Sequence, residues 1–129
     1  MMPEPLAVVI DRTPHPWLLP NQKKAERTRR PYKQAIRDTA AIATINALDG
    51  KTWSWAGPIV LHIDIFWEPG RRRADWDNAI AAMKGAIDGV FSRIDADDRQ
   101  VTGVFLQQGR DNLRDGYTVI LIEPMETTQ

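Results

Sequence analysis

The clearest pattern of hydrophobic and polar positions is a strict alternation over residues 58–67, which read PIVLHIDIFW. Its apolar side chains at every second position predict a β-strand with one face in the core. That face carries Ile59, Leu61, Ile63 and Ile65. Shorter runs of similar residues predict three more strands, at residues 6–10, 101–106 and 117–122. The last two are joined by QQGRDNLRDG, whose turn-forming residues predict a closing hairpin.

Two other segments repeat their apolar residues about every 3.6 positions and predict helices at about residues 31–48 and 76–91. Pro31 suits the first turn of the earlier helix, and Gly50 suits its end. The order β-α-β-α-β-β predicts an α/β (α+β mixed) domain in which two helices pack on one small mixed sheet. A chain of 129 residues is typical of one domain, which we place at residues 1–129. We expect residues 124–129 to fray.

The helix at 76–91 separates its polar from its apolar side chains. At about 100° per residue, Asp77, Lys84 and Asp88 share one polar line. An apolar stripe faces the predicted core and consists of Trp76, Ile80, Met83, Ile87, Val90 and Phe91. With a rise of about 1.5 Å per residue, Asp88 lies roughly 16 Å beyond Asp77, too far to share a metal ion with it.

Charge is segregated along the chain, although the formal net charge is zero. Basic residues cluster at 23–37 and again at 71–73, whereas acidic residues concentrate at 75–98 and near the C-terminus. The chain has no cysteine, no apolar run long enough to cross a bilayer, and no basic region leading into an apolar signal segment. These features favour a cytoplasmic protein without membrane association.

The carboxylates in the segment 71–98 are candidate ligands for a divalent metal ion. Asp75 and Asp77 begin the second predicted helix, and the loop after it can span up to about 23 Å, enough to return Asp97 or Asp98 to that point. Oxygen ligands suit Mg²⁺ or Mn²⁺, and a metal beside Lys84 suits phosphodiester hydrolysis. Each residue also has an ordinary interpretation, as a helix cap, a solvated turn or an exposed lysine.

The sequence RRRADWDNAIAAMKGAIDG followed by DDRQV resembles the signature of RusA-type Holliday junction resolvases, which are common in prophages. That family has a basic run, Asp-x-Asp-Asn, a helix with Lys-x-x-x-Asp, and an Asp-Asp pair before a strand. The resemblance extends in order over the whole chain. It implies a Mg²⁺-dependent homodimer that makes paired nicks in four-way DNA junctions. The catalytic residues it implies are Asp75, Asp77, Asp98 and Lys84, with the three aspartates as metal ligands.

Two positions depart from the family pattern. Where the family places its lysine, four residues after the second aspartate, this chain has Ala81, and Lys84 follows one helical turn later on the same face. Ala74 stands where the family has an arginine. The choice of Asp98 over Asp97 rests on the alignment with the family alone.

The residues expected to contact DNA are mostly basic, as binding to phosphates requires. The alternative interpretation is that they form an ordinary solvated surface. They are Asn21, Lys23, Lys24, Arg29, Arg30, Lys33, Arg71, Arg72 and Arg73. The five tryptophans could stack on unpaired bases, but we favour their burial in the core or in a dimer contact.

The expected function is Mg²⁺-dependent, structure-specific endonuclease activity on Holliday junctions in DNA recombination and repair, without a small-molecule cofactor. Two alternatives stay open: a non-catalytic protein of phage origin that binds branched DNA, and a nuclease for flaps or forks.

Overall fold

Four strands form one mixed sheet in the order β1-β4-β2-β3. They are β1 (Leu6–Ile10), β2 (Ile59–Trp67), β3 (Val101–Arg110) and β4 (Tyr117–Pro124). β4 runs antiparallel to both β1 and β2, whereas β2 and β3 are parallel. This computed structural model describes residues 1–127, so the last two residues of the expected domain 1–129, Thr128 and Gln129, lie outside the described residues. The predicted class, a mixed α/β domain with a small mixed sheet, is confirmed.

Three α-helices accompany the sheet: α1 (Glu26–Leu48), α2 (Trp76–Ala82) and α3 (Lys84–Phe91). Short 3₁₀ turns occupy Pro16–Leu18, Pro20–Gln22 and Asp98–Gln100. None of the helices in residues 1–127 combines the length and the apolar content that crossing a bilayer requires.

The core lies between the helices and the inward face of the sheet. The alternation predicted for β2 is confirmed, since Ile59, Leu61, Ile63 and Ile65 are each at most 1% exposed. Met83 and Val90 of the helical layer belong to the same buried cluster. Burial of these side chains is the main stabilising contribution to the fold.

The predicted closing hairpin is wrong, because β3 and β4 do not pair with each other. Both pair with β2, which lies between them, so that Ile63 faces Leu106 on one side and Ile120 on the other. β2 is strongly apolar on its buried face, and partners on both sides satisfy its backbone hydrogen bonds. The expected fraying of residues 124–129 is wrong at its start, because Pro124 ends β4 and the Met125 N–H donates to the Pro58 carbonyl at 2.9 Å. Thr128 and Gln129 lie outside the described residues.

Helix α1 begins at Glu26, earlier than predicted, and contains Pro31 in its interior. A proline there removes one helical hydrogen bond and usually costs about 3 kcal/mol. The preceding turn is held from outside the helix, since the Arg29 guanidinium donates to the Trp17 and Leu18 carbonyls at 2.8 and 3.0 Å. These contacts offset the loss at Pro31.

The single helix predicted at 76–91 is divided at Met83 into α2 and α3. The Met83 N–H donates to the Ile80 carbonyl, three residues back, at 3.0 Å, which tightens the turn locally. The helical pattern resumes at once, because the Ile87 N–H donates to the Met83 carbonyl at 2.9 Å. Met83 itself is fully buried.

Two glycines allow α1 and α3 to pack backbone against backbone. Gly85 and Gly89 are one turn apart on α3 and face the carbonyl oxygens of Lys33 and Arg37 on α1. A methyl group on Gly85 would lie 3.2 Å from the Lys33 oxygen, whereas one on Gly89 would overlap the Arg37 oxygen. This close approach brings the basic face of α1 beside the polar side of α3.

Candidate active site

Lys84 lies between two carboxylates that the chain brings together from different elements. Its Nζ atom is 3.3 Å from Asp88 Oδ1, one turn along α3, and 3.6 Å from Asp98 Oδ2 in the 3₁₀ turn that precedes β3. The hydrogen bond to Asp88 and the charge of that residue raise the pKa of Lys84, and Asp98 raises it further. The ammonium group therefore stays charged at neutral pH. We refer to Lys84, Asp88 and Asp98 as the Lys84 cluster.

Asp97 and Asp98 have different surroundings. Asp97 caps the 3₁₀ turn in a capping box with Gln100, and its Oδ1 accepts the Arg99 N–H at 2.8 Å. Hydrogen bonds from the Arg99 side chain and backbone lower the pKa of Asp97 to about 2. Asp97 thus has a local structural role, and Asp98 is the residue directed to Lys84.

Asp75 and Asp77 flank the start of α2, and both are exposed. Asp75 is the residue before the helix, yet its side chain makes no capping hydrogen bond. Asp77 Oδ1 accepts the N–H of Asn78 at 3.0 Å. The Asp75 carboxylate is therefore available for another ligand, whereas its backbone carbonyl accepts the Ala79 N–H at 2.9 Å and starts the helix.

A glutamine that the sequence analysis did not identify holds the segment carrying these aspartates. Gln108 on β3 accepts the Ala74 N–H through Oε1 at 3.2 Å and donates to the Ala74 carbonyl through Nε2 at 2.9 Å. Its Oε1 also accepts the indole N–H of buried Trp67 at 2.8 Å. Because Ala74 directly precedes Asp75, Gln108 fixes that position relative to the sheet. We refer to residues 71–77 as the site segment.

The basic end of the site segment is also anchored. Arg71 stacks on the Trp67 ring, with Cζ 4.5 Å from the ring centroid, and pairs with Glu68 at 3.3 Å. Arg110 donates to the backbone carbonyls of Glu68 and Arg71. Arg72 and Arg73 are exposed and extend from this anchored base.

The expected metal ligands do not form a ready-made cluster. Within residues 1–127, no three or more His, Cys, Asp or Glu side chains are near enough together to hold a metal ion. The structure does unite Lys84 with Asp98, and it places Asp75 and Asp77 together at the start of α2. The donor chemistry, carboxylate oxygen throughout, matches what Mg²⁺ prefers.

Some of the residues expected to contact DNA already make contacts within the protein, whereas others are exposed. Arg29 is held by two backbone carbonyls, and Lys33 pairs with Glu26 at 2.9 Å. Lys24 lies over the Trp17 ring at 4.9 Å. The 3₁₀ turn that contains Asn21 contacts α2. The exposed members with no ion pair inside residues 1–127 include Lys23, Arg30, Arg72 and Arg73.

A groove of about 370 Å³ runs between α1 and the α2–α3 pair. Its walls carry Arg29, Lys33 and Arg37 at intervals of four residues along α1, opposite Lys84 and Asp88. Arg37 also lines the adjoining depression beside Asp98 and was not among the residues expected to bind DNA. Its spacing of four from Lys33 places both on one helix face and could have identified it.

The two neighbouring arginines of α1 should differ in their effect on stability. Arg29→Ala removes charged hydrogen bonds to two carbonyls and should lower the free energy of unfolding by about 1–3 kcal/mol. Arg30→Ala removes an exposed side chain, so we expect a change within about 0.5 kcal/mol. Urea unfolding followed by tryptophan fluorescence measures both values, and equal values would contradict the structural role of Arg29.

Trp76 is not part of the buried stripe in which the sequence pattern placed it. The side chain is 70% exposed, whereas Trp53 and Trp67 are buried. The periodic pattern assigns Trp76 to the apolar face as if it lay inside a helix, but α2 begins at this residue. Ala74, two residues earlier, packs against the core in its place. Burial in the core is therefore wrong for Trp76, whereas its burial in a dimer contact stays a prediction.

The charged side chains of this region thus form two groups: the Lys84 cluster on α3 and the turn before β3, and the aspartates and arginines of the site segment. Carboxylate oxygens can bind a divalent cation, and Lys84 and the exposed arginines can bind a phosphate group. No protein-family model matches the chain, and comparison with curated proteins finds no significant relative.

Proposed function

We propose that this protein is a Mg²⁺-dependent endodeoxyribonuclease that resolves four-way DNA junctions by paired nicks in recombination and repair. The observation that supports the proposal most directly is the contact of Lys84 with Asp98 at 3.6 Å. The resemblance to RusA-type resolvases implies a lysine and this aspartate in one site. Their contact across two elements agrees with that expectation, although Lys84 stands three residues later than the family pattern has it.

Each residue has a defined part in the proposed reaction. Asp75, Asp77 and Asp98 would hold Mg²⁺, with Mn²⁺ as a substitute. When bound, the ion supplies charge neutralisation at the phosphate and lowers the pKa of a water molecule. Lys84, which the neighbouring carboxylates keep protonated, stabilises negative charge on the phosphate as the bond breaks.

We propose that the protein acts as a homodimer in the cytoplasm. Two symmetric strands of a junction require two equivalent sites, which an isologous dimer provides. Arg30, Arg72, Arg73 and Lys23 would contact the phosphates of the duplex arms, because their side chains are exposed.

A second candidate function is that of a branched-DNA-binding protein without catalysis. It is favoured by one observation: in residues 1–127 no three potential ligands are gathered for a metal ion. In that case the Lys84–Asp98 pair would serve stability or DNA positioning alone.

The experiment that separates these functions is a nicking assay with labelled four-way junction, flap, fork, linear duplex and single strand, each with and without Mg²⁺. We expect paired Mg²⁺-dependent cuts in the junction. Tight junction binding without cuts would establish the non-catalytic alternative. Cutting that is equal in flaps, forks and junctions would overturn the junction-specific assignment.

Lys84→Ala should lower the nicking rate by about 10²–10³-fold, which is typical for loss of one group that stabilises transition-state charge. Its effect on the free energy of unfolding should be below about 1 kcal/mol, because the ion pairs are near the surface. Lys51→Ala is the matched control, since Lys51 is exposed and is absent from the Lys84 cluster. Equal rates for the Lys84 and Lys51 variants would remove Lys84 from the reaction.

A further inference from the structure

Trp76 has a large aromatic side chain that is exposed to solvent among charged residues. It is 70% exposed, and the four charged residues nearest to it in sequence, Arg72, Arg73, Asp75 and Asp77, are exposed as well. An exposed indole leaves a large apolar area in contact with water, which is unfavourable unless a partner covers it.

The backbone that presents Trp76 is fixed on both sides. Ala74, two residues before it, is held by two hydrogen bonds to Gln108. After it, the hydrogen bond from the Ala79 N–H to the Asp75 carbonyl begins the helix. Trp76 therefore offers a ring on a positioned backbone, so that little conformational entropy of the main chain is lost when a partner binds.

The charges around Trp76 indicate the chemistry of that partner. An apolar protein surface that covered the ring would also have to remove water from neighbouring arginine and aspartate side chains, which is costly. A nucleotide fits the ring and the arginines at once, because its base has a π-face for the indole and its phosphate pairs with Arg72 or Arg73. Bases within an intact duplex keep their faces stacked on each other, so only an unpaired or unstacked base is accessible.

We propose that Trp76 stacks on an unpaired base of the DNA and thereby selects branched or single-stranded DNA over linear duplex. Its location between Asp75 and Asp77 places this base beside the phosphodiester to be cut, and this part of the inference rests on the proposed function. The stacking itself requires no metal ion and no cleavage.

The test is binding in EDTA to three DNAs that carry 2-aminopurine: a single strand, a four-way junction and a linear duplex. Compared with the wild type, Trp76→Ala and Trp76→Leu should lose about 10- to 100-fold in affinity for the first two, the range expected for one stacked base. Duplex affinity should be unchanged, and Trp76→Phe should restore most of the loss. Leu113→Ala is the control, because Leu113 is also exposed, at 94%, and lies in the loop before β4.

Tryptophan fluorescence provides a second readout. Quenching of the wild type by the single strand, absent in Trp76→Phe, would locate the base at residue 76. Equal affinities of wild type, Trp76→Ala and Trp76→Leu for the single strand and the junction would overturn the inference. So would a dimer that dissociates on Trp76→Ala in sedimentation, since the ring would then be covered by a second copy.

The nicking assay distinguishes failure of this inference from failure of the proposed function. Quenching and selective binding without any Mg²⁺-dependent cut would support the stacking role and reject the nuclease. Junction cutting that is normal in Trp76→Ala and Trp76→Leu, with no change in binding, would support the nuclease and reject the stacking role.

Discussion

Replacing Asp75 with asparagine should abolish Mg²⁺-dependent nicking of the four-way junction while leaving junction binding intact. Asparagine has the same shape but no charge, so it weakens a Mg²⁺ site without disturbing packing. We expect a loss of more than about 100-fold, because even partners that only orient metal ligands contribute about 10–100-fold. The backbone hydrogen bond from the Ala79 N–H to the Asp75 carbonyl is preserved in this variant, so the helix start should persist.

Single-turnover nicking over a Mg²⁺ titration measures this effect, with junction binding in EDTA measured in parallel. Asp115→Asn is the matched control, since it makes the same chemical change at an exposed position in the loop between β3 and β4. Full activity in Asp75→Asn would exclude Asp75 as a metal ligand. Activity restored only at high Mg²⁺ would instead identify it as a ligand whose charge sets the affinity.

Gly89→Ala should be the most destabilising single methyl addition in the helical layer. In an exposed helix this change stabilises by about 0.5–1 kcal/mol, because alanine is the better helix former. Here the new methyl group would overlap the Arg37 carbonyl oxygen, which is backbone and cannot rotate away. Overpacking of this kind costs about 1–3 kcal/mol or more, which exceeds the gain in helix propensity, so the variant should be less stable than the wild type. We expect the Tm to fall by roughly 5–10 °C.

Gly85→Ala provides the comparison on the same helix face. Its methyl group would lie 3.2 Å from the Lys33 oxygen, a distance that a small shift can relieve. The gain in helix propensity should nearly cancel the steric cost, so we expect little change in Tm. Differential scanning calorimetry of both variants measures the contrast. Equal Tm values would show that α1 and α3 are not in backbone contact at Gly89.

The strands and helices were largely predictable because their signals are local. The alternation in β2 and the 3.6-residue period of α1 follow from which side chains each element buries. The pairing of the strands was not predictable from the sequence. The segment 111–116 has the composition of a turn, and the same composition suits a hairpin between β3 and β4 or a loop that passes β2. Choosing between these requires knowing that β2 has partners on both sides, which is a property of the whole sheet.

The candidate site was predictable in its residue types but not in its supporting contacts. The motif around Asp75 and Lys84 can be identified from sequence, yet Gln108 is separated from Ala74 by more than thirty residues. Only the parallel pairing of β2 with β3 brings the two together. Trp76 was misplaced for a related reason, since helical periodicity assigns faces without knowing where the helix begins.

The hydrogen bonds between Gln108 and Ala74 also bear on how the site segment opens. Loops at a protein surface commonly open and close independently of the core, with free energies near zero. Here the Ala74 amide is released only when Gln108 moves, and Gln108 belongs to a strand whose backbone is bonded to β2. The segment that carries Asp75 is therefore tied to the sheet, and its opening costs the two hydrogen bonds to Gln108 in addition to the ordering of the loop itself.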